Sequence, residues 1–146
     1  MGLIGALGRG PVCIDTSIFI YYLEENPTYF KKVTQLFSAI EAGSITAVTS
    51  GITLLETTVL PLRKGNRPLA NRYADLLTNS YGLRLVPLSF PLLRDAALIR
   101  AQTRMKTPDA LQLAAALREQ CTALITNDRG FATNLGVQII QIDQYI

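Results

Sequence analysis

The chain has no histidine among its 146 residues. That absence removes Ser–His and Cys–His nucleophilic pairs and most zinc hydrolases. If the protein is an enzyme, carboxylates, hydroxyls, Lys/Arg or a bound ion must carry the chemistry. Cysteine is scarce too. Cys13 and Cys121 fall in or beside expected strands, where small buried thiols in a reducing compartment account for them. Long apolar runs are also missing: charges or prolines interrupt every stretch that approaches the roughly 18 residues of a membrane span. The opening MGLIGALGRG is too short and Gly-rich for a signal peptide, and Ala6 stands where a myristoylation motif needs Ser or Thr. Residues 1–11 are therefore expected to be a flexible leader and 12–146 a single domain. The protein is expected to be cytoplasmic and free of the membrane.

What is present is apolar. Hydrophobic residues make up 49% against 17% charged, which excludes a disordered chain and leaves material for a core. Val12-Cys13-Ile14 reads as a short strand running into an apolar helix from Ser17. Pro27 to Ala42 places Phe30, Val33, Phe37 and Ile40 on one helical face, and Gly43 closes it. Ile45 to Thr49 is a β-branched strand. Gly51 to Leu62 is helical, with Pro61 and Gly65 as breakers, and Arg67 to Ser80 is a polar helix ending at Gly82. Leu83 to Leu88 is a strand, and Phe90 to Met105 a helix. Thr107 reads as the N-cap of a helix through Glu119, with Pro108 at its first position. Ala123 to Thr126 and Val137 to Ile142 are the last strands. Strands alternating with helices call for an α/β fold with a parallel sheet covered on both faces.

The formal charge is +3, unevenly spread. Between Arg63 and Lys106 nine basic residues face only Asp75 and Asp95. A solvated helix face is the ordinary account; a polyanion such as RNA or DNA is the sharper one. Aromatic residues do not interleave with these charges, so backbone contact is favoured over base stacking.

Four acids stand at junctions or inside apolar runs. Asp15 lies between the first strand and its helix, followed by Thr16 and Ser17, and on its own is a helix cap. Glu56 interrupts GITLLETTVLPL; it is either a wet-side residue or a buried acid needing a partner. Asp109 suits the first turn of any helix. Asp128, in TNDRG, is ordinary turn chemistry. Together they read differently. Asp15 and Asp128 each follow the carboxyl end of an apolar strand, and in a parallel sheet those ends share one edge. Glu56 follows the second strand on the same side. Asp109 reaches that edge only if the chain before it folds back. Like charges about 4 Å apart repel by roughly 1 kcal/mol in water and about 4 at an intermediate dielectric. Either some of the acids hold protons at neutral pH or a divalent cation sits among them. Oxygen-only ligands select a hard ion, Mg²⁺ or Mn²⁺.

Asp15-Thr16-Ser17, the isolated Glu56, PDALQLAAA from Pro108 and TNDRGF from Thr126, in that order and spacing, resemble the PIN domain, and among its members the VapC-type toxin ribonucleases of bacterial toxin–antitoxin pairs. The resemblance runs from Val12 to Ile142. It implies a three-layer α/β/α sandwich with a five-stranded parallel sheet of order 3-2-1-4-5. It also implies Mg²⁺- or Mn²⁺-dependent cleavage of RNA, a homodimer, and neutralisation by a separately encoded antitoxin. Asp15, Glu56, Asp109 and Asp128 become the catalytic and metal-holding acids, with Thr126, Thr16 and Ser17 in support. Arg63, Lys64, Arg67, Arg104 and Lys106 are the candidate contacts to the RNA backbone. One departure is Gly130, which stands where many relatives carry a further Asp. Two other readings start from the same residues: a non-catalytic module that binds RNA or protein without cutting, and a phosphatase or phosphoreceiver with Asp15 as acceptor. The haloacid dehalogenase-type pattern wants a second Asp where Ser17 stands, and neither phosphate arrangement explains Asp109.

Overall fold

A computed structural model describes residues 2–146. Five parallel strands form one sheet in the order β3-β2-β1-β4-β5: β1 Val12–Ile14, β2 Ala47–Ser50, β3 Leu83–Val86, β4 Ala123–Thr126 and β5 Gln138–Gln141. This is the expected α/β architecture and strand order. Because strand side chains alternate between faces, the sheet builds two cores. Val12, Ile14, Ala47, Ala123, Ile125 and Ile140 point to one, with α2 (Thr16–Leu23), α3 (Phe30–Glu41) and Leu77 of α5 (Arg67–Asn79). Cys13, Val48, Val86 and Leu124 point to the other, beneath α6 (Phe90–Gln102) and α7 (Thr107–Arg118). Both faces are covered, so the central strands are buried throughout rather than alternating between buried and exposed. Helix α4 (Ile52–Arg63) sits at the seam, with Leu54 packed on the first core and Ile52 on the second.

Several boundaries differ from the sequence expectation. Residues 1–11 are not a loose leader where described. Leu3–Leu7 form a helix, α1, whose Leu3 and Leu7 are buried in the first core. Pro61 does not break α4 but lies in its last turn, where it forfeits a single backbone donor. Helix α3 starts at Phe30 because Asn26 Oδ1 accepts the Thr28 and Tyr29 N–H groups in a tight turn (2.9 and 3.3 Å). Helix α7 is capped at Lys106, one residue before the expected Thr107. Strand β3 ends at Val86, before Pro87, which has no donor for a ladder. Both cysteines are free and buried. Burial raises the Cys13 thiol well above its ordinary value and takes Cys121 to about 11, so neither is a ready nucleophile. Among the described residues no helix is long and apolar enough to cross a membrane.

Candidate active site

Asp15 follows β1 with an extended backbone and caps α2, its Oδ1 accepting the Thr16 N–H at 2.9 Å. The capping role read from the sequence is present, and it uses only one of the two oxygens. Oδ2 accepts the hydroxyl of Thr126, the last residue of β4, at 2.6 Å. Thr126 is fully buried, and its oxygen also receives the Asp128 N–H at 2.9 Å. One hydroxyl thus ties the ends of two adjacent strands together. Asp128 sits in the turn that follows, with Oδ1 accepting the Gly130 N–H (2.7 Å) and its carbonyl accepting Gln141 Nε2 (2.9 Å). Glu56, one turn into α4, accepts the Thr16 hydroxyl at 2.6 Å.

Asp109 needed the chain to turn back, and three observations explain how it does. Helix α6 stops at Gln102, and Thr103 Oγ1 accepts the Met105 N–H at 3.1 Å. Met105 is buried in the second core. Arg100 donates to the Met105 carbonyl (3.1 Å) and to Thr107 Oγ1 (3.0 Å). The hairpin between α6 and α7 is pinned by this guanidinium, which delivers Asp109 to the strand ends in the first turn of α7.

The result is one open cleft of about 600 Å³ lined by Asp15, Glu56, Asp109 and Asp128 together with Thr16 and Ser17. Thr126 lies buried behind it. Ile20, Tyr21, Asn127 and Arg129 complete the lining, and sequence reasoning missed all four. The signal existed: Ser17, Ile20 and Tyr21 fall at i, i+3 and i+4 on one helix face, and Arg129 adjoins Asp128. A smaller hollow of about 170 Å³ opens on the far side of Asp109 and Asp128, lined by Arg104, Lys106 and Gly130. A β-carbon at Gly130 would stand 3.1 Å from both Asp109 Oδ2 and Asp128 Oδ1, so glycine leaves these two carboxylates uncrowded.

The expected basic contacts divide accordingly. Arg104 and Lys106 are beside the acids. Lys64 lines a neighbouring groove that shares Glu56, while Arg63 and Arg67 are exposed near the α4–α5 turn and outside the cleft lining. Others in the basic stretch are used internally: Arg84 pairs with Glu119, and Arg100 holds the hairpin.

The electrostatics follow from burial and crowding. Desolvation raises Asp15, hydrogen bonds from Thr126 and the Thr16 N–H pull it back, and Glu56 and Asp128 add to the rise. Asp109 is pushed up to about 7, first by desolvation, then by the charges of Asp128, Asp15 and Glu56 and by hydrogen bonding with Asp128. Among the described residues, no three carboxylate or thiol groups close around a single point as a ready-made chelate; the acids border the cleft instead. Whether the lining suits a metal ion is decided by its donors. All are oxygens, and Ser17 Oγ is buried with no hydrogen-bond partner. Such a set fits a hard divalent ion that keeps part of its water, and it does not fit zinc or copper.

Over residues 12–134 the chain matches the PIN domain family. No match is found among curated proteins. Among solved structures it is similar to a toxin–antitoxin complex from Klebsiella pneumoniae, at 24% identity and a TM-score of 0.65, covering 86% of this chain and 94% of that one. It is similar to VapBC2 from Rickettsia felis, solved with a DNA fragment from its promoter, at 17% identity and a TM-score of 0.67, covering 89% and 97%. Mycobacterium tuberculosis VapC20, described as a sarcin–ricin-loop-cleaving toxin, is similar at 16% identity and a TM-score of 0.63, covering 87% and 98%.

Proposed function

We propose, from the premise that this chain belongs to the PIN domain family, that it is a divalent-metal-dependent ribonuclease of the VapC type and the toxin of a toxin–antitoxin pair. The observation that carries this reading is the gathering of Asp15, Glu56, Asp109 and Asp128 from four separate elements into one open cleft. Asp15, Asp109 and Asp128 would hold Mg²⁺ or Mn²⁺, with Glu56 as a further ligand or a proton acceptor. A cation of this kind supplies Lewis-acid polarisation of a phosphoryl oxygen and makes water acidic enough to attack at neutral pH.

The protein's own groups do the rest. Thr126 and the Thr16 N–H fix both oxygens of Asp15 before substrate arrives, so no reorganisation is required of it. The Thr16 hydroxyl aims Glu56 in the same way. Arg104, Lys106 and Arg129, which border the cleft and the adjoining hollow, neutralise phosphates of a bound single strand. The cleft is open to solvent. The similar structures described as toxin–antitoxin complexes support a small protein antitoxin as partner, and a homodimer and a cytoplasmic site of action complete the proposal.

The test is direct. Single-stranded RNA incubated with the protein and Mn²⁺ is cleaved, and Asp15→Asn or excess EDTA stops it. Cleavage that persists in either case removes the reading. A folded protein that binds RNA but never cuts it, and takes up no Mn²⁺ by calorimetry, is the non-catalytic module instead.

A further inference from the structure

Behind the cleft lies a polar network that the site chemistry above does not use. Gln112, on α7 one turn after Asp109, is fully buried between α7 and the sheet, where an amide is costly unless all its groups are paired. Here they are. Its Oε1 accepts the Ser50 N–H at the end of β2 (3.0 Å) and the Cys13 thiol (3.4 Å). Its Nε2 donates to Thr53 Oγ1 (2.6 Å) and Thr49 Oγ1 (3.3 Å). Thr49 in turn donates to the Ile14 carbonyl at 2.7 Å, next to Asp15.

The network leads outward. Thr53 Oγ1 lies 3.4 Å from Thr16 Oγ1 and 2.7 Å from Thr49 Oγ1. Thr16 has one hydroxyl proton and gives it to Glu56 at 2.6 Å. Thr49 gives its own proton to the Ile14 carbonyl, so the proton between Thr49 and Thr53 is Thr53's and the long Thr16–Thr53 contact carries none. Gln112 instead reaches Glu56 by anchoring Thr53, one turn before it on α4. Only an amide can accept from a backbone N–H at one end and donate to two hydroxyls at the other without carrying charge. A carboxylate would lack the donor, and methionine or leucine would lack both.

We propose that Gln112 is a positioning residue for Glu56, acting through Thr53 one turn earlier on α4, and that it fixes the ends of β1, β2 and the start of α4 in the register the cleft requires, so that Glu56 meets the Thr16 hydroxyl. This rests on Glu56 working in the cleft as proposed above. It adds a residue that touches neither substrate nor ion.

The test uses the full chain and Gln112→Met, close in size but without the amide, with Thr53→Val as a second variant that removes one hydroxyl and little volume. Cleavage of a single-stranded RNA oligonucleotide with Mn²⁺ is measured with enzyme in excess, in the wild-type and Glu56→Gln backgrounds. Loss of an outer partner of a metal-site ligand lowers activity by about 10–100-fold. Each variant should therefore lower the cleavage rate about tenfold in the wild-type background, leave KM nearly unchanged, and have little further effect once Glu56 is gone. A second readout needs no activity: the methyl NMR signal and rotamer couplings of Thr16 should report one fixed rotamer in the wild type and averaging in both variants. Equal losses in both backgrounds, or a Thr16 signal that neither variant moves, would overturn the proposal. If the wild type cuts no RNA, the nuclease reading fails, and the Thr16 signal alone still decides whether Gln112 orders this hydroxyl.

Discussion

Replacing Asp109 by Asn should stabilise the metal-free protein above neutrality. The Asp109 carboxyl rises from its ordinary 3.8 to about 7 in the fold, through desolvation first and then the neighbouring acids. A raised acid binds its proton more tightly in the folded than in the unfolded state. Its contribution is therefore fully present below about pH 4, falls as pH climbs, and is gone above about pH 7. A rise of that size corresponds to about 4 kcal/mol if fully expressed. Asp109 is half-solvated, and screening reduces this to about 2. Asparagine also gives up the favourable interaction of an acid with the start of α7, worth about 0.5 kcal/mol. The net gain at pH 8 is about 1–1.5 kcal/mol, or about 3–5 °C in Tm for a chain of this size. Urea or thermal unfolding in EDTA at half-unit steps from pH 4 to 9 reads it directly. The wild-type curve should fall across pH 4–7 relative to the variant and converge with it at the acid end. Adding Mg²⁺ at pH 8 should restore the wild type by mass action and leave Asp109→Asn nearly unmoved. Parallel curves, or a variant less stable than wild type at pH 8 without metal, would refute the electrostatic account of the cleft.

Other consequences can be checked with single substitutions. Thr126→Val removes the donor to Asp15 and the acceptor of the Asp128 N–H; about 2–4 kcal/mol of stability should go, with Thr126→Ser recovering most of it in the same denaturation assay. Arg104→Ala and Lys106→Ala should raise the KM for RNA while sparing kcat, each lowering the slope of log affinity against log salt by about 0.7. Gly130→Ala places a methyl 3.1 Å from two carboxylate oxygens, and calorimetry should show weaker Mn²⁺ binding without a loss of fold by circular dichroism. Leu7→Ala should cost about 2–4 kcal/mol, as a buried core leucine does; a change under 0.5 kcal/mol would mean that α1 is dispensable.

The fold was legible because two periodicities carried it. Strands such as Ala123–Thr126 announce themselves by being apolar on both faces, and helices such as α3 by a single apolar stripe. The acids at strand ends follow from the topology, since a parallel sheet sends every carboxyl end to one edge. What stayed hidden depends on single long-range contacts. No local pattern says that Arg100 bonds the Met105 carbonyl and Thr107, yet that contact decides whether Asp109 reaches the other three. By charge alone Arg100 looked like part of an RNA-facing patch. Leu3 and Leu7 looked like leader because glycines surround them; burial against α3 overrode the propensity. Pro61 looked like a breaker, but a proline in the last turn of a helix has little left to break.

The four acids are not equivalent, and the inequality says how the site is balanced. Asp15 is the most buried and has a donor on each oxygen. Glu56 has one hydroxyl, and Asp128 has a backbone N–H within its own turn. Among the described residues Asp109 has no donor of this kind, and desolvation with the neighbouring acids outweighs the favourable start of α7. At Asp15 the two donors offset part of the rise that burial causes, whether or not a ligand is present. An acid without such donors must be compensated by a proton or by a cation from outside. If the cleft holds the proposed hard ion, proton and metal compete at Asp109, and the affinity of the cleft for that ion should fall as pH drops below 7. Mn²⁺ titrations at pH 6 and 8 should show that dependence in the wild type and lose it in Asp109→Asn.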